Sequence, residues 1–327
     1  MRVLGDVSTA LNLTKLEEVA TYLDPHVLKV AFIFLLVGYG TKIGLVPMHT
    51  WVPEAYSEAP APVTAMLAGV LETVAVYAVL RAKTVVDRAL PGHFTGNLLL
   101  VFGLASFGLA ALFILVQRDY KRLFAYSSIE HMGIALIGFG AGGAIGTFGG
   151  LFHLLNHALA KALAFFAAGN LYRRFETRMI AGVQGLAQAQ PATAAALLVA
   201  GLALVGMPPF SIFASELMVL SSLASQSFGP DTLHVGRFLT ITIADEARSL
   251  TLVMTFLVFA VALFGGFTYR LAAMVWGTPP DHVKRGEAWE LGHVPLALTA
   301  LALVLLGLTL PAPVRSFLDQ AVNVLLR

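Results

Sequence analysis

The sequence predicts an all-α protein that spans a membrane about eight times, and three observations predict it. Only 12% of the 327 residues are charged and 57% are hydrophobic, whereas a water-soluble domain carries about 25% charged residues. The apolar residues are gathered into runs of about 20, the length a helix needs to cross roughly 30 Å of hydrocarbon. Those runs are continuous, whereas barrel strands would alternate polar and apolar residues over about ten positions. The net charge of +2 gives no footprint for nucleic acid. There are no cysteines, which excludes disulfides, thiolate metal sites and iron–sulfur ligation. No cofactor and no metal are therefore expected on this chain, and electrons are not expected to move through it.

Residues 1–27 set Asp6, Lys15, Glu17, Glu18 and Asp24 among scattered apolar residues. They lack the basic start, apolar core and cleavage site of a signal peptide, so they read as an interfacial segment. Spans follow at about 28–50, 61–82, 97–117, 124–145, 148–172, 192–226, 250–276 and 293–313. The sixth is too long for one plain span and is interrupted by Gly206-Met207-Pro208-Pro209-Phe210. The first is interrupted between Gly44 and Pro47, and Trp51-Val52-Pro53-Glu54 follows as a short re-entrant piece. Proline at membrane depth frees backbone groups, which is tolerated only against other protein or water. Paired broken helices point to a transport site built on internal repeats; ordinary proline kinks are the simpler alternative. Basic residues are divided almost evenly between the two sides, so charge bias fixes no orientation.

Most charges sit in loops, and the exceptions are Lys42, Glu72, His153, His157, Lys161 and Glu216. A charge at bilayer depth costs at least ~2.5–3.5 kcal/mol on insertion scales, and such groups usually face the bundle interior or a water-filled path. His153, His157 and Lys161 recur every four residues, on one face of one helix. Histidine titrates near neutrality and the charge of a lysine responds to burial, so this stripe suits a lateral proton relay. A single histidine here would read as a structural hydrogen bond; three groups on one face favour the relay. Lys42 and Glu216 flank the two breaks, where a charged group can exchange partners without leaving the membrane. Glu72 is either a partner for Lys42 or a tolerated polar contact. Glu130 and His131 open a span, either orienting the preceding basic loop or admitting protons.

Two long motifs carry a resemblance. One runs from Gly40-Thr41-Lys42 through Val46-Pro47-Met48-His49-Thr50-Trp51 to Pro53-Glu54-Ala55, the other from Asp119-Tyr120-Lys121-Arg122 to Ile129-Glu130-His131-Met132-Gly133. Both resemble the antiporter-like subunits of respiratory complex I and membrane-bound hydrogenases, as do His153 to Gly169 and Gly206 to Glu216. The likeness covers about residues 28–313, and Gly38-Tyr39-Gly40-Thr41-Lys42 with Ser57-Glu58-Ala59-Pro60-Ala61-Pro62 is nearest the hydrogenase-4 or formate-hydrogenlyase branch.

The resemblance implies a proton-translocating subunit with two inverted five-helix repeats, each holding one broken helix. It implies an interfacial segment at 1–27, a two-span remnant of the first repeat at 28–96, and a whole second repeat at 97–276. A loop and C-terminal span would occupy 277–327. Lys42 matches the lysine of the first broken helix and Glu216 the charged residue of the second. His157 and Lys161 match the central axis, with His153 one turn earlier. The family's cation after the first break falls at or beside Thr73, where this chain offers Glu72. The implied partners are other membrane and peripheral subunits of a redox complex, lipid and protons, in the cytoplasmic membrane. A sodium/proton antiporter subunit and a non-pumping anchor are the alternatives. Lys42 is expected to need helices from upstream sequence or from a separate small membrane protein.

Overall fold

Helix ends are set by identifiable residues. The computed structural model describes residues 12–90, 92–225, 231–235, 239–243 and 245–326, so Asp6 lies outside the described residues. Asn12 caps a short helix α1 (Leu13–Glu18) by accepting from the N–H groups of Thr14 and Lys15. Helix α2 (Pro25–Ile43) starts where the Asp24 carboxylate accepts from His26 and Val27, with proline in the first position. It stops at Gly44, whose φ of 87° is left-handed. Helix α3 (Trp51–Glu58) is the short piece expected after the first break. Helix α4 (Ala61–Ala89) contains a π-helical turn at Leu67–Leu71. Helices α5 (Phe94–Val116) and α6 (Tyr120–Ala141) follow, with Asp119 capping α6 through the N–H groups of Lys121 and Arg122. After Gly142, helix α7 (Gly143–Phe175) runs for 33 residues.

The remainder comprises a short α8 (Leu186–Ala189), α9 (Pro191–Leu204) and α10 (Ser211–Ser225), separated by the expected break. A hairpin of β1 (Asp231–Val235) and β2 (Leu239–Ile243), not foreseen in the sequence, pairs antiparallel with Asp231 opposite Ile243. Helix α11 (Asp245–Val275) follows, then α12 (His293–Leu308) and α13 (Ala312–Leu325).

Each expected run folds largely as helix, yet among the described residues five helices are long and apolar enough to cross a membrane. The number is six if α12 and α13, bent by 73° at Pro311, form one span. The difference from eight has physical causes. Helix α6 carries Lys121, Arg122 and Glu130 and buries nearly its whole length, so it needs no apolar surface. Helices α9 and α10 are shorter apolar helices because the break divides them. Helix α13 was unassigned from sequence; it buries Leu318 and Val322 while Phe317 stays exposed.

Lipid tails are as apolar as leucine, so helices in a membrane associate by close packing of small residues rather than by the hydrophobic effect. Helices α5 and α6 do this backbone to backbone. A Cβ on Gly103 would lie 2.8 Å from the carbonyl oxygen of Gly133, and one on Gly133 would lie 2.6 Å from that of Gly103. Gly96 and Gly140 make the same contact, at 2.7 and 2.8 Å. Helix α7 packs against α6, α9, α10, α4 and α12 and so stands at the centre. At one end α3 is held by side chains from elsewhere: Lys121 Nζ donates to the carbonyls of Ser57 (2.9 Å) and Ala59 (2.7 Å), and Arg178 donates to Ser57 (2.7 Å). Cations on the final carbonyls also oppose the helix dipole. Beyond α11, Glu287 ties its loop to α9 by accepting from the hydroxyl and the N–H of Thr193, and it meets His293 at 2.9 Å.

Gly133→Ala should lower the thermal stability of the purified protein by about 1–3 kcal/mol, the usual cost of overpacking. Gly38→Ala, where an added Cβ meets nothing within 4 Å, should be neutral or mildly stabilising through helix propensity. Burial raises the Glu287 pKa, but the bonds from Thr193 and His293 outweigh it and hold the group below its ordinary 4.5. A depressed carboxylate contributes stability above its unfolded pKa and loses it as pH falls through the folded one. Proteolysis within 277–292 should therefore accelerate on acidification below 4.5, and Glu287→Gln should show the same acceleration at neutral pH.

Candidate functional site

Helix α7 presents His153, His157 and Lys161 along one face, and all three are completely buried. The Lys161 Nζ donates to the carbonyl of Phe124 on α6 at 2.8 Å. Its ammonium lies within electrostatic reach of both Glu130, on α6, and Glu72, on α4. A buried cation is tolerable only with such partners. Glu72 Oε1 accepts from the Tyr56 hydroxyl at 2.5 Å, and Glu72 Oε2 lies 3.4 Å from His157 Nε2. The π turn prepares this position: the Glu72 N–H bonds to Leu67, five residues back, which changes the direction of side chains beyond it. The carbonyl of Ala68, in the same turn, faces His157.

The line continues through three imidazoles. The rings of His131 and His157 have centroids 5.1 Å apart, and those of His131 and His153 are 5.0 Å apart. His131 Nδ1 meets His153 Nε2 at 3.0 Å, and His153 Nδ1 meets Ser215 Oγ at 3.0 Å. Proton positions follow from the far end. The Ser215 hydroxyl donates to the carbonyl of Ile212 (2.8 Å), so its oxygen accepts from His153 Nδ1–H. His153 Nε2 then carries a lone pair and accepts from His131 Nδ1–H. The remaining nitrogen of His131, Nε2, lies 3.4 Å from Glu130 Oε2, where one further proton belongs to the pair.

Proline sets the break beside this row. Residue 208 has no N–H, so the carbonyl of Leu204 lacks its helical partner, and that carbonyl faces His131. Gly206 has φ of 65°, and a Cβ there would lie 2.1 Å from a carboxylate oxygen of Glu216. The missing side chain is what seats Glu216 against the unwound segment. Glu216 also lines a cavity of about 300 Å³ with Val205, Gly206, Phe256 and Phe264. Asn156 of α7 holds the start of α10 through the Ser211 carbonyl at 3.0 Å.

The structure thus brings five of the six expected residues together: Glu72, His153, His157 and Lys161 in one line, with Glu216 at its end beside Ser215. Lys42 is not among them. It is exposed near the end of α2, and Glu72, offered as its partner, belongs instead to Tyr56 and His157. Glu130 and His131 were expected at the mouth of a span, and both are buried in its interior. The Asp119 cap starts α6 four residues earlier than the apolar run does, which places them about three turns deep. Tyr56 was not foreseen either. Several buried polar atoms along the row make ionic or long contacts but no hydrogen bond of normal geometry, including Glu72 Oε2, both Glu130 oxygens, His131 Nε2 and both His157 nitrogens. No metal set was expected from the sequence, yet His131, His153 and Glu216 each offer a ligand atom within 4.8 Å of the others.

Residues 3–241 match the family described as NADH:quinone oxidoreductase/Mrp antiporter, transmembrane. The chain is 45% identical over 224 residues to a hydrogenase-4 component F homolog of Methylacidiphilum infernorum, over 68% of this chain and 47% of that protein. It is 40% identical over 191 residues to NAD(P)H-quinone oxidoreductase chain 4 of Synechococcus sp. strain CC9605, over 58% of this chain and 36% of that one. The chain therefore matches about half or less of the length of these relatives. The fold is that of a chain in an archaeal membrane-bound sulfane sulfur reductase, with a TM-score of 0.82 at 24% identity, covering 100% of this chain and 65% of that chain. A chain of respiratory complex I from Thermus thermophilus superposes with a TM-score of 0.77 at 25% identity, over 95% of this chain and 61% of that chain. With the family matched across most of its length, this multi-pass chain belongs to the antiporter-like membrane subunits shared by complex I, Mrp antiporters and membrane-bound hydrogenases.

Proposed function

We propose that the chain carries protons within a redox-driven complex of the hydrogenase or NADH:quinone oxidoreductase type, in the cytoplasmic membrane. The observation that carries this reading is the buried line of exchangeable groups, with Lys161 held between Glu72 and Glu130 and the imidazoles leading to Ser215 and Glu216. A proton leaving Lys161 has a carboxylate on either side to receive it. From Glu130, transfer to His131 Nε2 releases the Nδ1 proton to His153, and that ring passes its own to Ser215 as the serine hydroxyl turns and gives its hydrogen to Glu216. Glu216, beside the break and the cavity, is the group that exchanges with the outside. Redox chemistry falls to other subunits of the complex, because this chain has no cysteine and its polar line is built for protons.

Two features support a repeat origin, with 97–276 as one complete unit and 28–96 as part of another, between a segment at 1–27 and a C-terminal portion at 277–327. Gly44 and Gly206 are both left-handed, and each lies three residues before a proline, Pro47 and Pro209. Each break is also followed by a helix that contributes to the line, through Tyr56 and through Ser215. A sodium/proton antiporter is the second reading. Sodium prefers a shell of oxygen ligands, whereas Glu216 is grouped with the nitrogens of His131 and His153, which favours protons. A non-pumping anchor would have no use for the buried Lys161.

In membrane vesicles holding the native complex, Lys161→Ala should assemble and lower substrate-driven proton uptake by roughly a hundredfold, the scale of a lost acid–base group. Lys161→Arg should be nearly as poor, because arginine stays protonated. Normal uptake by Lys161→Ala would refute the reading. Glu216→Gln should uncouple translocation while leaving complex stability intact. Gly206→Ala should do the same with the carboxylate still present, because the added methyl occupies its seat.

A further inference from the structure

We infer that His131, His153 and Glu216 form a binding site for a divalent cation of the zinc class, which clamps α6, α7 and α10 together. The three ligand atoms lie within 4.8 Å of one another, and two imidazoles with a carboxylate form a zinc-type donor set that leaves a fourth position open. His131 Nδ1 and His153 Nε2 face each other at 3.0 Å. Tetrahedral ligands on zinc stand about 3.3 Å apart, so the rings need to part by only a few tenths of an ångström.

The outer partners are already in place. Metal-binding histidines fix their tautomer by donating the other N–H to a hydroxyl, carbonyl or carboxylate. Ser215 Oγ accepts from His153 Nδ1, leaving Nε2 for the ion. For His131 the ion takes Nδ1 and displaces its proton to solvent, while the proton shared by the His131–Glu130 pair settles on Nε2, 3.4 Å from the Glu130 Oε2 carboxylate oxygen. His131 Nε2 and both Glu130 oxygens have no hydrogen-bond partner in the structure, so this pairing satisfies buried atoms that otherwise lack one. Charge closes as well: a divalent cation, the Glu216 carboxylate and the Glu130 carboxylate sum to zero. A hard monovalent cation gains little from two imidazoles. Glu216 is the outermost of the three ligands, half-buried beside a cavity of about 300 Å³. Among the described residues this is the one group of three such side chains so placed.

The site itself is independent of the transport reading, but its consequence rests on it: an ion on both imidazoles would stop the wire. The test uses the purified complex, stripped with chelator and titrated with zinc alone and with cobalt alone. One tight ion per chain is expected, with the visible absorption of tetrahedral cobalt. X-ray absorption of the unaltered zinc-loaded protein should show two imidazole nitrogens and carboxylate oxygen. Ser215→Ala, which removes only a hydroxyl, should weaken binding by about tenfold, and Glu216→Gln should weaken it further. No tight ion, a single imidazole in the absorption spectrum, or unchanged affinity in Glu216→Gln and His153→Gln would overturn the site. Tight binding at this set with undiminished proton uptake would uphold the site and refute the proton path through these imidazoles.

Discussion

The constraint on which the rest depends is the burial of the Lys161 ammonium. It has no exposure to solvent, and an unpaired cation in so apolar a bundle would cost several kcal/mol. One backbone carbonyl at 2.8 Å and two carboxyl groups within electrostatic reach on different helices reduce that cost without cancelling it. Glu72 comes from α4, Glu130 and the Phe124 carbonyl from α6, and the lysine from α7. The bundle must therefore hold three helices in register to keep one charge tolerable. The same requirement explains α6, which is too polar to read as a simple span yet is buried nearly throughout. Its polarity faces inward, where the charges need it.

Register is kept by contacts that involve no charge. Helices α5 and α6 touch through paired glycines, so their separation is set by backbone rather than by flexible side chains. Lys121 and Arg178 fix the last carbonyls of α3 and hence the place of Tyr56. The π turn in α4 and the proline break after α9 each spoil a regular helix locally. In both cases the irregular backbone presents a carbonyl to the line, from Ala68 to His157 and from Leu204 to His131. A carbonyl in regular helix has already given one lone pair to the axial bond, as Phe124 has, whereas the irregular turns free whole carbonyls for the line. The irregularities are thus part of the site.

What was legible in the sequence is what depends on helical period and on residue chemistry. His153, His157 and Lys161 repeat every four residues, so their common face needed only the geometry of a helix. Pro47 and the Pro208-Pro209 pair marked the two breaks because a missing N–H is a local property. Glu130 and His131 lie deeper than the apolar run beginning near Phe124 implies, because the helix begins at the Asp119 cap. The partnership of Glu72 with Tyr56 and His157 was not legible. It depends on a π turn, and nothing in Leu67-Ala68-Gly69-Val70-Leu71 distinguishes that turn from ordinary helix. The bend at Pro311 falls inside the single span expected at 293–313, and the packing of α13 beyond it depends on tertiary contacts.

The histidine row also shows why such a line needs a guarded end. Passing a proton requires that each imidazole keep a lone pair facing the N–H of the next, and that the hydroxyl at the end can turn. Ser215 meets this condition, since its oxygen accepts from one group while its hydrogen goes to another. Turning that hydroxyl toward His153 reverses the polarity of the whole row without moving a helix. Lone pairs so arranged also suit any soft cation that reaches them, so selectivity must come from access. Glu216 stands at that access, seated against a glycine that leaves room for a carboxylate and for nothing larger. The left-handed backbone at Gly206 is the structural condition for that seat, because any side chain there would displace the Glu216 carboxylate from the end of the row.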